Sequence, residues 1–152
     1  MDSATERRLL LAADQAEIRN VIARLAQLAD TDTDDFEEYL SLWSPDAVTV
    51  HPTDTAHGRD EILSRSLDLR ARGVQGPGTD SQHVSTTQWV RVDGDTATSV
   101  SYWLFYGQAS QPAPQLRAMG SYHDTLTRQD DGWKLSRRQV SHGQLPPGWS
   151  PG

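Results

Sequence analysis

The spacing of apolar residues changes once along this chain, and that change restricts the fold more than any other feature. Before residue 73, apolar side chains recur every three or four positions, which indicates amphipathic helix. After residue 80 they recur every second position, which indicates β-strands. Helices followed by a run of strands predict an α+β protein.

Four long strands are predicted, over residues 81–92, 96–106, 116–128 and 133–141. A turn at Asp93-Gly94 joins the first two, and residues 129–132 join the last two, so both pairs form antiparallel hairpins. We expect a strongly curved, mixed or antiparallel sheet of at most six strands. It wraps around the N-terminal helices and leaves a cavity at its open end.

Three helices are predicted before this sheet. The first begins at a capping box over residues 14–17, and a second capping pattern at residues 3–6 favours helix there too. A short helix then carries Phe36, Tyr39, Leu40 and Trp43 on its buried side and stops at Pro45. A strand over residues 47–50 and a helix over 58–73 follow. We expect one domain over residues 1–143 and an irregular, proline-rich tail over 144–152.

The composition disfavours several classes of function. The chain has 152 residues, and its 21 acidic and 14 basic side chains give a net charge of −7, which disfavours nucleic acid and anionic membrane surfaces as partners. No apolar stretch approaches the roughly 20 residues that span a bilayer, and the N-terminus lacks the pattern of a signal peptide. A cytoplasmic location is the expectation.

No metal or cofactor site is expected. The chain contains no cysteine, which excludes thiolate nucleophiles and cysteine-ligated metals. The five histidines show no spacing typical of metal ligands, although His51, Asp54 and His57 share one loop. No glycine-rich phosphate loop leads from a strand into a helix.

His83 is the strongest candidate for chemistry because it stands at the start of the first long strand. An imidazole exchanges protons near neutral pH, and a carboxylate bonded to one ring nitrogen leaves the other available as a base. Asp30 and Asp32, at the end of the first helix, supply candidate carboxylates. The alternative is a histidine that only hydrogen-bonds a loop.

Alternation along the second long strand separates Ser101, Trp103 and Phe105 from Val100, Tyr102, Leu104 and Tyr106, and one set must line the cavity. Ordinary core packing is the alternative role for most of them. Tyr102, Tyr106 and Tyr122 are the candidate proton donors. On the last strand Arg137 and Arg138 point to opposite faces, so only one of them faces inward, where it would bind a carboxylate or an enolate.

Several short runs, in this order and spacing, resemble the SnoaL-like branch of the nuclear-transport-factor-2-like superfamily, which includes ketosteroid isomerase and scytalone dehydratase. They are Ser-Pro-Asp-Ala-Val at 44–48, Gly-Arg-Asp-Glu-Ile at 58–62, His83 with the later Val-Asp-Gly-Asp-Thr-Ala at 92–97, Gly-Ser-Tyr-His-Asp at 120–124 and Asp-Gly-Trp-Lys at 131–134. The resemblance implies a cone-shaped α+β fold.

Dehydratase-like members of that superfamily pair an Asp at the end of the first helix with a His on the first long strand. The resemblance therefore implies a His83–Asp30 dyad, with Asp32 as the alternative partner. It implies a cofactor-free dehydratase, isomerase or aldol-type cyclase that acts on a small, apolar, oxygenated metabolite of polyketide, terpenoid or steroid type. A non-catalytic binding domain and a small structural subunit of an oxygenase are the alternatives. The tyrosine that such relatives place before the Asp is absent, because Leu25 or Gln27 occupies that position.

A homodimer is expected from the outer face of the sheet. Trp89, Trp103 and Trp133 are expected on this outer face, and three helices cannot cover all of them. Large exposed apolar patches commonly mark interfaces.

Overall fold

The structure is a computed structural model that describes residues 2–31 and 36–143. Helix α1 spans Ser3–Thr31, α2 spans Glu37–Ser41 and α3 spans Gly58–Ala71. The strands are β1 (Trp43–Val50), β2 (Thr55–His57), β3 (Ser81–Asp93), β4 (Thr96–Gly107), β5 (Gln115–Gln129) and β6 (Gly132–His142). The tail predicted over residues 144–152 lies outside the described residues.

The six strands form one curved sheet in the order β2-β1-β6-β5-β4-β3. β1 runs parallel to β6, and every other neighbouring pair is antiparallel, so the sheet is mixed. The α+β class and the two long hairpins are therefore confirmed. The concave face packs on α1 and α3 around a core of apolar residues that includes Ile18, Ile22, Leu25, Trp43, Ile62, Leu126, Trp133 and Leu135.

The predicted start of the first helix at residues 14–17 is wrong, because α1 runs unbroken from Ser3. Asp2 caps it, since its Oδ1 accepts hydrogen bonds from the backbone N–H groups of Ala4 and Thr5 at 2.9 and 2.8 Å. Asp14 instead accepts two bonds from the Arg128 guanidinium, both at 2.7 Å. Because both oxygens of Asp14 bind Arg128, Asp14 does not act as a helix cap.

Two further differences concern β1 and its partner. Trp43 and Pro45 belong to β1 rather than to the end of a helix, and β1 is four residues longer than predicted. The three-residue strand β2 escaped prediction because so short a segment carries no periodicity. It pairs with residues 48–50 of β1 at the edge of the sheet.

The expectation that three tryptophans lie on the outer face is wrong for two of them. Trp103 is 5% exposed and Trp133 is 1% exposed, and both are buried on the concave side. α1 covers Trp133, because Asp14 accepts a hydrogen bond from its Nε1 at 3.0 Å and Glu17 accepts one from its backbone N–H at 2.9 Å. Trp89 remains 45% exposed.

Candidate functional site

A pocket of about 360 Å³ opens between the concave face of the sheet, α1 and α3. Its walls are largely apolar and aromatic, and include Leu25, Trp43, Ile62, Trp103, Phe105 and Tyr122. Trp103 and Phe105 belong to the same alternating set on β4, so this set lines the cavity. A concave, mostly apolar site with a few polar groups is typical of small-molecule pockets.

Asp30 and His83 meet at this pocket. Asp30 Oδ1 lies 2.6 Å from His83 Nδ1, and Asp30 Oδ2 accepts the backbone N–H of His83 at 2.7 Å. Both side chains are largely buried, with 9% and 16% of their surfaces exposed. The His83 ring also packs on Phe105, with 4.6 Å between the ring centroids. Both oxygens of one carboxylate therefore hold the ring and the backbone of one histidine.

This pair depends on the end of α1, and Arg70 of α3 holds that end in place. Arg70 Nη2 donates hydrogen bonds to the carbonyls of Leu28 and Ala29 at 3.1 and 3.0 Å, directly before Asp30. Its guanidinium also lies 4.7 Å from the centroid of the Phe36 ring. The last turn of α1 contains no basic residue of its own, so α3 supplies the donors that its terminal carbonyls require.

Arg138 faces inward and Arg137 is exposed, as their opposite directions require. Arg138 Nε and Nη2 each donate a 2.8 Å hydrogen bond to a different oxygen of Asp124, which is buried with it. The guanidinium lies 3.9 Å from the centroid of the Tyr122 ring. Burial acts to lower the pKa of Arg138, but attraction to Asp124 outweighs it and raises that pKa, so the guanidinium stays charged.

The three candidate tyrosines fall in different places. Tyr122 lines the pocket, and burial raises its pKa to about 12 while nearby Arg138 opposes the rise. Its hydroxyl therefore stays protonated at neutral pH and can donate a hydrogen bond. Tyr102 is 49% exposed on the outer face, because it alternates with inward Trp103. Tyr106 lies past a β-bulge and does not line the pocket. Neither of these two is placed to donate a proton there.

Asp32 lies outside the described residues, so only Asp30 has a described position relative to His83. The described residues 2–31 and 36–143 contain no cluster of three or more His, Cys, Asp or Glu side chains suited to a metal ion. Within the same ranges, no helix is long and apolar enough to cross a membrane.

The sequence interpretation missed several polar residues of the pocket, among them Tyr39, Thr49, His51 and Arg65. The sequence predicts a loop at His51, yet this residue follows Val50, the last residue of β1, and continues the inward alternation from Thr49. Burial, and after it the charge of Arg65, lowers the pKa of His51 to about 4. That alternation was the available signal, but only pairing with β6 shows that β1 borders the pocket.

Comparison with known proteins agrees with this architecture. An NTF2-like protein with a cystatin-like fold from Novosphingobium aromaticivorans is 28% identical, with 98% of this chain and 93% of that one covered and a TM-score of 0.74. A Catenulispora acidiphila protein, solved in complex with S-DNPA, is 25% identical, with 86% and 94% covered and a TM-score of 0.69.

A candidate scytalone dehydratase from N. aromaticivorans is 20% identical, with 96% and 99% covered and a TM-score of 0.69, which shows a shared fold alone. No curated protein matches the chain. The model of the SnoaL-like domain matches residues 11–139, which carry Asp30, His83 and, except for the last three residues of β6, the strands that border the pocket. Because this match spans most of the sequence and the solved structures repeat its fold, the chain belongs to the SnoaL-like family.

Proposed function

We propose that this protein is a cofactor-free acid–base enzyme that acts on a small, largely apolar, oxygenated molecule. The reaction is a dehydration, an isomerisation or an aldol-type cyclisation. The observation that carries the proposal is that Asp30 forms hydrogen bonds with both the ring and the backbone N–H of His83, at the wall of an aromatic pocket. The S-DNPA complex of the C. acidiphila relative supports a small molecule as the ligand.

The geometry favours His83 as the general base. With Asp30 accepting the Nδ1–H, the lone pair lies on Nε2, which takes a proton from carbon next to a substrate carbonyl. The electron pair of that C–H bond moves into the carbonyl and forms an enolate. In a dehydration the imidazolium then protonates a departing β-hydroxyl as water; in an isomerisation it returns the proton to a different carbon. The Tyr122 hydroxyl is a candidate donor to the enolate oxygen.

Exchange of carbon-bound hydrogen in D₂O tests this step before the natural substrate is known. The probe is 1-tetralone, a bicyclic ketone whose α-hydrogens exchange through the enolate, followed by proton NMR. We expect the wild-type protein to accelerate exchange, and His83→Ala and Asp30→Asn each to lose most of it, on the order of 100-fold. The double variant should be little worse than the poorer single variant, because the two side chains act as one unit.

Asp32→Asn is the matched control, since it makes the same change two residues along and should leave exchange unchanged. Tyr102→Phe, on the outer face, is a second control. Exchange that survives in His83→Ala would contradict the proposal. Binding of the ketone without any accelerated exchange would favour a non-catalytic binding domain, and neither binding nor exchange would favour a structural subunit. A cytoplasmic location stays a prediction.

A further inference from the structure

We infer that the pocket binds its ligand through an oxyanion, held where β1 meets β6 by Thr49, Arg65 and Arg138, and that the ligand is an aromatic carboxylate. This inference deepens the proposed function, on which it rests for the identity of the pocket as the ligand site. It names a class of substrate that the His83–Asp30 pair alone does not.

The first argument is a surplus of hydrogen-bond donors in the pocket wall. Trp103 Nε1 and the hydroxyl of Thr49 are buried without a hydrogen-bond partner among the described residues. Arg65 Nε forms no well-aligned hydrogen bond there either, although it lies 3.3 Å from Asp54 Oδ2. Thr49 and Trp103 are only 4% and 5% exposed. Nε and Nη2 of Arg138 donate hydrogen bonds to Asp124, which leaves Nη1 as a donor for a ligand. Buried donors without partners destabilise a protein unless a ligand satisfies them.

The second argument is that the carboxylates bonded to the pocket-lining residues His83 and Arg138 are already engaged. Both oxygens of Asp30 are hydrogen-bonded to His83, and both oxygens of Asp124 accept hydrogen bonds from Arg138. The wall therefore offers donors, and the ligand has to bring the acceptors. A carboxylate provides two acceptor oxygens with about four lone-pair positions, and guanidinium groups bind it more strongly than they bind a neutral oxygen.

The third argument is the electrostatic field at this end of the pocket. His51, which lines it, is held neutral at pH 7 first by burial and then by the charges of Arg65 and Arg138, with Asp54 opposing them. The positive charges of Arg65 and Arg138, which oppose a proton on His51, favour an anion at the same place. Asp54 pairs with Arg65 at 3.3 Å from the exposed side, where solvent screens it, since its side chain is 49% exposed.

The proposed oxyanion-binding groups lie in a different part of the pocket from His83, the proposed general base. Thr49 and Arg138 are directly paired across β1 and β6, whereas His83 lies on β3, three strands away from β6. Neighbouring strands lie about 4.8 Å apart. Between the oxyanion-binding groups and His83, the pocket wall consists of Trp103, Phe105 and Tyr122. A ligand that contacts both the oxyanion-binding groups and His83 is therefore an extended ring system, with its acid group directed away from the reacting carbon.

Three isosteric probes test the inference through quenching of the tryptophans that line the pocket. They are 2-naphthoate, 2-naphthalenemethanol and 2-naphthylmethylammonium, which differ mainly in charge at pH 7.5. We expect 2-naphthoate to bind at least about 10-fold more tightly than the alcohol, and the ammonium to bind most weakly. Arg65→Gln and Thr49→Val should each reduce this preference. Arg137→Gln is the matched control, because Arg137 is the neighbour of Arg138 on the opposite face.

An alcohol that binds as tightly as the carboxylate would overturn the inference, and so would a preference that survives in both Arg65→Gln and Thr49→Val, or a failure to bind 2-naphthoate at all. His83→Ala should retain the preference for 2-naphthoate while it loses hydrogen exchange. A failure of this inference is thereby distinguished from a failure of the proposed chemistry, because one is read from binding and the other from exchange.

Discussion

Asp30 differs from an ordinary acidic residue at a helix end because both of its oxygens bind the same partner residue. One oxygen orients the imidazole of His83 and the other holds the backbone N–H at the start of β3. An amide at this position can accept only one of these two bonds, and it places an NH₂ group against the other donor. Asp30→Asn is therefore a sharp test of orientation, since the side chain keeps its size.

His51 makes a second prediction at the scale of single residues. The pKa of His51 is about 4 in the folded state, below the ordinary value of 6.5. Between these two pH values, the imidazole therefore binds a proton in the unfolded chain but not in the folded protein. The free energy of unfolding therefore falls as the pH drops from 6.5 towards 4, and this loss is complete below pH 4. Between pH 7.5 and pH 5 we expect this protonation to lower the free energy of unfolding by about 1 to 2 kcal/mol.

Urea unfolding of His51→Gln at these two pH values measures the effect. The difference in unfolding free energy between wild type and variant should shift by that amount, because the variant has no imidazole to protonate. His57→Gln, which changes an exposed histidine six residues along, is the matched control. Parallel pH profiles for wild type and His51→Gln would contradict the prediction.

At the scale of elements, Arg70 joins α3 to the end of α1 and to the loop that follows α3. Gly76 of that loop has a φ of 95°, and a Cβ there would lie 2.8 Å from Arg70 Cγ. The loop therefore packs directly against the residue that holds the carbonyls before Asp30. Since the same loop leads into β3, we predict that the position of Asp30 relative to His83 depends on Arg70.

Replacing Arg70 with Met keeps much of the apolar stem and removes the donors. We expect Arg70→Met to lower the free energy of unfolding by about 1 to 3 kcal/mol, because buried carbonyls lose their partners. The low-field proton NMR signal of the Asp30–His83 hydrogen bond should also weaken or broaden, which a loss of stability alone does not require.

Arg72→Met is the control for this experiment. Arg72 forms an exposed ion pair with Asp68 one turn apart, and such pairs contribute little to stability. A sharp, unchanged signal in Arg70→Met would show that the position of Asp30 does not depend on Arg70.

At the scale of the whole molecule, the outer face of the sheet remains apolar although two of its expected tryptophans are buried. Trp89 of β3, Tyr102 of β4 and Met119 of β5 are 45%, 49% and 52% exposed. The register places them on the face opposite Trp103, which lines the pocket. We propose that a second copy of the chain covers this face in a homodimer, since exposed apolar patches of this kind commonly mark interfaces.

Light scattering at micromolar concentration measures the mass directly, and we expect a dimer. Tyr102→Glu should shift the mass to that of a monomer, because it places a charge at the centre of the patch. Leu67→Glu on α3, which also replaces an exposed apolar residue, is the control and should leave the dimer intact. A wild-type monomer, or a dimer that Tyr102→Glu does not disturb, would count against the proposed interface.

Local pattern was enough to predict that three helices precede four long strands in two hairpins, although not where the first helix begins or the second ends. Helical spacing around Ile22 and alternation around Trp103 depend on neighbours a few residues apart, so they can be read from the chain directly. The β-bulge after Thr86, the parallel partner of β1 and the short strand β2 depend on contacts between distant segments. No local pattern specifies them.

The same distinction applies to the site. Alternation shows that Arg137 and Arg138 point in opposite directions and that Trp103 shares a face with Phe105, but it does not show which face is concave. That choice arises because α1 covers one side of the sheet and leaves the other open. The closeness of Asp30 to His83 and of Arg138 to Asp124 likewise depends on how the sheet curves around α1, because packing over the whole molecule decides which distant side chains meet.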